Sequence, residues 1–129
     1  MALAGDSPDE MFAQWQKLIA PHSREALASY PAAKERYLRG LPPGENFFVT
    51  TILRDEQHRF EQVFVLVDRI ERGKVTGRIA SDILTVAGHR RGGTLTFEET
   101  EVVDWLIAKP DGSEEGNFVG KYLETLSSK

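Results

Sequence analysis

Pro42-Pro43-Gly44 divides this chain into two stretches whose apolar residues follow different periods. Two successive prolines lack the backbone N–H groups that a helix needs, and the glycine after them favours a turn, so no helix arriving from the N-terminal side continues past this point. Upstream, Ser7-Pro8-Asp9-Glu10 combines an N-cap residue, a proline at the first helical position and a glutamate three residues after the cap, which is a capping box. Met11, Phe12, Trp15, Leu18 and Ile19 then recur at helical spacing, and Trp15 is expected to pack against the rest of the chain. Pro21 is expected to end this helix. Ser23 is placed to cap a second segment through Ala26, Leu27 and Tyr30, and Pro31 either kinks that segment or opens another. Tyr37, Leu38 and Leu41 continue the apolar face, and Gly40 suits the position just past a helix end. Residues 1–41 thus form a helical N-terminal part.

From Asn46 onward the residues suit a pleated sheet. Phe47 to Leu53 is β-branched or aromatic, Asp55-Glu56-Gln57-His58 is a polar break, and Phe60 to Ile70 is a second strand, so the two form a hairpin. Arg72-Gly73 turns the chain, and Val75, Gly77 and Ile79 alternate with polar partners in a third strand. Ala80 to Arg91 has no clean period and reads as a crossing loop or short helix. Short strands follow at Thr94 to Phe97 and Val102 to Ala108, the latter closed by Pro110-Asp111-Gly112. Phe118 to Leu126 reads as a strand leading into a short C-terminal helix, and Ser127-Ser128-Lys129 is expected to fray. The expected fold is one α+β domain, with the N-terminal helices packed on an antiparallel β-meander of about five strands (residues 46–126).

Composition narrows the function classes. The 129 residues contain no cysteine, which excludes disulfides, thiolate metal sites and a cysteine nucleophile. A net charge of −4 argues against a dedicated nucleic-acid binder, whose phosphate contacts require a basic excess. The charge is uneven: residues 54–91 carry 8 basic and 6 acidic groups, and residues 92–129 carry 3 and 8. No apolar run approaches the roughly 20 residues of a membrane span, and Met1-Ala2-Leu3-Ala4-Gly5-Asp6 does not read as a secretory signal, so a cytoplasmic location is expected. There is no phosphate-binding loop, dinucleotide fingerprint, nucleophile elbow or paired-histidine motif, so no cofactor and no catalytic constellation is implied.

Gly77 within the third strand, the Arg91-Gly92-Gly93 turn, Asp104-Trp105 and Gly116-Asn117-Phe118 stand in an order and spacing that resembles the YegJ-like family, a bacterial domain of unknown function. The resemblance runs from about Ala26 to Leu126. It implies a small sheet-rich α+β domain without an established activity.

Two groups of residues are candidate sites. Asp104, Trp105, Asn117 and Tyr122 fall in neighbouring C-terminal segments, where a carboxylate and an amide beside an aromatic wall would suit a small ligand or a hydrolytic reaction. The plainer reading has Trp105 in the core, Asp104 as a surface carboxylate and Asn117 serving a turn. Arg69, Lys74, Arg78, Arg90 and Arg91, together with Arg54 and Arg72, come from adjacent strands and turns and would suit an anion or an acidic protein partner, unless interspersed carboxylates neutralise them. His22, His58 and His89 fall in expected loops without metal-ligand spacing, and Asp55, Glu56 and His58 at a hairpin tip read as a solvated turn, so no metal is implied. The expected function is a non-enzymatic interaction or binding domain, with a small-molecule or hydrolytic pocket near Asp104, Trp105 and Asn117 as the alternative.

Overall fold

A computed structural model describes residues 7–127, so the readings made on residues 1–6 and on Ser128-Lys129 lie outside it. The helical part is one element, α1 (Pro8–Arg39), and not two or three. Ser7 caps it as expected: its Oγ accepts from Glu10 N at 3.1 Å and donates to Glu10 Oε1 at 2.8 Å. At the far end, Gly40 (φ +100°) donates its N–H to Tyr37 O. Pro21 does not end α1 and Pro31 does not divide it. Each proline removes one intrahelical hydrogen bond, and both face solvent, where water replaces the bond lost by the carbonyl four residues earlier. His22 therefore lies within the helix.

Six strands follow: β1 (Asn46–Arg54), β2 (Phe60–Glu71), β3 (Lys74–Ile79), β4 (Thr94–Glu98), β5 (Asp104–Ala108) and β6 (Glu114–Gly116), before α2 (Phe118–Ser127). They form one antiparallel sheet in the order β4-β3-β2-β1-β5-β6. The first four make the expected meander. After β4 the chain returns past β1 and adds β5 and β6 on the far side, so the sheet has six strands instead of about five, and its order is not that of a simple meander. The residues from Phe118 are helical from the start, without the expected leading strand.

One face of the sheet is covered. Phe47, Val49, Val63, Val65, Val75, Ile79, Trp105 and Ile107 alternate onto it and are almost fully buried. Ala26 and Ala33 of α1, at 0% and 2% exposure, let the helix approach closely, and Tyr37 stacks on Phe47 with ring centroids 5.1 Å apart. The N-terminal turns of α1 extend to the β1–β2 hairpin, where Phe12 and Trp15 both pack on Phe60. Polar ties fix the helix as well: Tyr30 donates to Glu99 Oε2 at 2.6 Å, Lys34 pairs with the same carboxylate at 2.8 Å, and Arg36 forms a two-pronged pair with Glu115 of β6. A bulge in β2 between Val67 and Arg69 shifts the register, so that Ile70 turns onto the covered face and Arg69 onto the other.

Residues 80–93 contain no regular element. Their first half runs beside β2 and is held by a carboxylate: Glu61 accepts from Leu84 N (2.8 Å), Thr85 N (2.8 Å) and Val86 N (3.1 Å). Desolvation would raise the Glu61 pKa, but the three N–H donors outweigh it and hold the group below the usual glutamate range. Asp55 does the same one step along, accepting from Ala87 N at 3.0 Å. Glu61→Gln keeps the shape and loses one acceptor oxygen. It is expected to lower stability by about 1 kcal/mol and to speed amide hydrogen exchange at residues 84–86. Unchanged protection there would refute the tether.

Candidate functional site

The sheet face away from Ala26 and Ala33 is only partly covered by α1, whose first turns reach Phe60 and Ile52 at its hairpin end. Phe48, Thr50 and Ile52 of β1 point to it, beside Gln62, Phe64 and Leu66 of β2 and Asp104, Leu106 and Ala108 of β5. α2 lies along one margin, where Asp104 holds its start: Oδ2 accepts from Val119 N and Oδ1 from Trp105 N, each at 2.7 Å. The N–H groups at a helix N-terminus have no intrahelical partner, and a carboxylate is the best acceptor for them. Asn117, next to the helix, does not cap it. Its backbone is left-handed (φ +57°), its Nδ2 donates to Glu114 Oε1 at 3.1 Å, and its amide lies where a β-carbon on Gly120 would stand.

Between α2 and the strands is a depression of about 510 Å³. Phe48, Phe64, Ala80, Leu106 and Ala108 give it an apolar floor, and Gln62, Glu114, Asn117, Gly120 and Glu124 supply its polar and backbone margin. Gln62 Oε1 and Asn117 Oδ1 are both buried without a hydrogen-bond partner. Because Asn117 Nδ2 donates to the Glu114 carboxylate, the bare atom on Asn117 is its oxygen. A buried acceptor without a donor costs about 1–3 kcal/mol.

The residues singled out in the C-terminal segments do not share one surface. Asp104 is 0% exposed and caps α2, which corrects the reading of it as a surface carboxylate. Burial pushes its pKa up, against the pull of the N–H groups of Val119, Trp105 and Phe118. Trp105 is in the core as expected, and its Nε1 donates to Ser29 Oγ (2.9 Å) and Ala26 O (3.2 Å) of α1. Tyr122 faces α1 and stacks on His22 with centroids 3.9 Å apart. Of the four, only Asn117 lines the depression.

The basic group is also divided. Arg69 and Lys74 line a smaller hollow with Glu71, Arg72, Thr76 and Thr96. Arg69 pairs with Glu71 (3.3 Å), Lys74 with Glu98 (2.9 Å), Arg78 with Asp68 (3.5 Å) and Arg91 with Asp82 (3.3 Å), while Arg90 lies exposed in the 80–93 segment. Carboxylates thus accompany four of the five cations, and two of these, Glu98 beside Lys74 and Asp68 beside Arg78, come from a neighbouring strand. At the hairpin tip, Asp55 binds Arg59 and backbone amides, and His58 sits 3.2 Å from Asp9, so Asp55 and His58 are turned to different partners.

Phe48, Gln62, Phe64, Gly120 and the two glutamates were not singled out from the sequence. One signal was present: Val63-Phe64-Val65-Leu66-Val67 is apolar on both faces of a strand. Comparison of the chain with family models, with curated proteins and with solved structures returned no match. Among the described residues, no helix is long and apolar enough to cross a membrane.

Proposed function

We propose that this chain is a non-catalytic binding module that presents the sheet face opposite α1 to a partner polypeptide. The observation that carries this reading is the depression beside α2, in which the half-buried Phe48 and Phe64 and the buried Leu106 form an apolar floor with a polar margin. Large apolar side chains at the surface of a small protein mark a contact site when they are contiguous and rimmed by polar groups. The hollow opens along a sheet face and so encloses too little of a free small molecule, whereas a polypeptide brings its own surface to close it. The titratable groups support the same reading. The buried Asp104 is occupied in capping α2, and Glu61, Asp55 and Glu99 hold backbone or side-chain donors of the fold, so none of them is available to move a proton at the hollow. The resemblance to the YegJ-like family adds no activity that competes with this reading.

Selection of displayed random peptides on the full chain, with Phe64→Glu as counter-bait, tests the proposal. Phe64 is only partly buried, so the variant is expected to fold and to place a charge on the floor. Peptides retained by the natural chain and lost on Phe64→Glu would support the module; peptides that bind both equally would overturn it.

A further inference from the structure

The two edges of the sheet are built differently. β6, on one side, has three residues, two of them glutamates, and Asn117 with its left-handed backbone follows directly. Short length and charge keep such an edge from pairing with another strand. β4, on the other side, is five residues long and runs in unbroken register along β3. It contains no proline and no basic residue, and its one charge is Glu98 at the end. Among the described residues no strand pairs with its outer side. We infer that β4 is a self-association edge, which pairs antiparallel with β4 of a second copy of this chain about a two-fold axis at Thr96. This is independent of the depression beside α2 and of the binding-module reading.

The backbone of β4 has the phase that such a pairing needs. Ile79 N donates to Gly93 O at 2.9 Å just before β4, and Glu99 N donates to Gly73 O at 2.8 Å just after it. Successive residues of an antiparallel strand alternate in the side to which their N–H and C=O groups point. Both bonds fix the same phase: Leu95 and Phe97 turn these groups to β3, and Thr94, Thr96 and Glu98 turn them outward. An axis at Thr96 sets Thr96 opposite its own copy and Thr94 opposite Glu98 of the second copy, so every outward N–H and C=O of the strand finds a partner. Moving the axis by one residue leaves Thr94 or Glu98 facing a residue outside the strand.

The side chains agree with this register. On one face the exposed Thr94 meets the Glu98 carboxylate of the second copy, and the two Thr96 residues meet on the axis, each with its Oγ1 3.0 Å from Thr76 Oγ1 of its own chain. Glu98 keeps Lys74 of its own chain, 2.9 Å away, on the other flank. On the opposite face the half-buried Leu95 comes beside Phe97 of the second copy. No like charges stand opposite one another across this seam, whereas an axis at Glu98 would set two carboxylates face to face. A two-fold contact uses the same edge on both copies, and the blunted β6 edge offers no second site, so growth stops at the dimer.

The test is sedimentation of the full chain from roughly 10 µM to 1 mM, a range suited to a small contact, together with amide hydrogen exchange. A concentration-dependent dimer is expected, in which exchange slows at Thr94, Thr96 and Glu98, while Leu95 and Phe97, already bonded to β3, gain little. Thr96→Lys brings two ammonium groups together on the axis and is expected to weaken the dimer about fivefold. Thr94→Lys sets an ammonium opposite each Glu98 and is expected to strengthen it by about the same factor. Both positions are exposed, so both variants are expected to keep the fold, which their amide spectra check. A natural chain that stays monomeric throughout overturns the inference. A dimer whose Thr94, Thr96 and Glu98 amides remain unprotected also overturns it, because the contact then lies elsewhere. Weakening by both lysines alike would overturn the axis at Thr96.

Discussion

Trp105→Ala is expected to cost about 3–5 kcal/mol of folding stability, the range for removing a large aromatic from a packed core. Trp105 is 6% exposed and touches every layer of the fold. Its indole N–H reaches the backbone of Ala26 and the hydroxyl of Ser29 on α1, and its ring meets Phe118 of α2 edge-on at 6.2 Å. Gly116 of β6 lies so near that a β-carbon there would overlap the indole. Truncation opens a cavity at the junction of α1, α2 and the sheet, where no single element can move in without losing its own contacts. Small domains are stable by only about 5–15 kcal/mol in total, so the variant should unfold at a much lower urea concentration. Far-UV circular dichroism is the readout to use, because the substitution removes one of the two tryptophans. Trp105→Phe keeps most of the apolar area and loses the indole N–H, and it should fall between the two. A midpoint for Trp105→Ala within about 1 kcal/mol of the natural chain would show that the indole is not a keystone of the core.

Asp104→Ala is expected to cost about 3 kcal/mol, because it leaves the N–H groups of Val119 and Trp105 buried without an acceptor. The loss should be local in its first effect, with amide exchange accelerating at Val119 and Gly120 as the start of α2 loosens, before the sheet opens. pH dependence distinguishes this carboxylate from the others. Burial raises the folded-state pKa of Asp104, so the native chain binds that proton more tightly than the unfolded chain does. Its contribution to stability is therefore full below the ordinary aspartate value and is lost as pH rises through the raised folded value. Glu115 behaves oppositely. The hydrogen bond from Arg36 leads in holding its pKa down to about 2, so its contribution is present above the ordinary glutamate value and is lost as pH falls toward 2. Urea unfolding of the natural chain and of Asp104→Asn across pH 3–8 separates the two, since Glu115 is common to both and cancels in the difference. The stability advantage of the natural chain over Asp104→Asn should shrink as pH rises. An advantage that grows with pH would mean that the N–H donors outweigh burial at Asp104.

The elements were legible where their signals are local. The capping box at Ser7, the hairpin at Asp55 to His58, the alternation in β3 and the end of α1 near Gly40 depend on residues within a turn of one another, and each stands as read. Pro21 misled because the rule that proline ends a helix assumes that the lost hydrogen bond is needed; on a solvent-facing side held down by Ile19, Ala26 and Tyr30, it is not. Glu114 to Gly116 contains no β-branched or aromatic residue, so β6 exists only because β5 offers it an edge. The depression was the least legible feature. Its floor residues had already been counted as strand formers, and the amides that mark it, Gln62 and Asn117, look like ordinary surface residues until their surroundings are known.

The amino-acid sequence by itself determined that a long amphipathic helical region precedes an antiparallel sheet, that Trp105 points inward and that no cysteine takes part, because period, capping and residue type act over a few neighbours. Only the tertiary structure decided that β5 returns beside β1, that Asp104 is sealed beneath α2 as its cap, and that a depression with an apolar floor lies between α2 and the strands. These outcomes depend on which distant segments meet, and the free energy of such meetings is set by surfaces buried jointly, which no local pattern records.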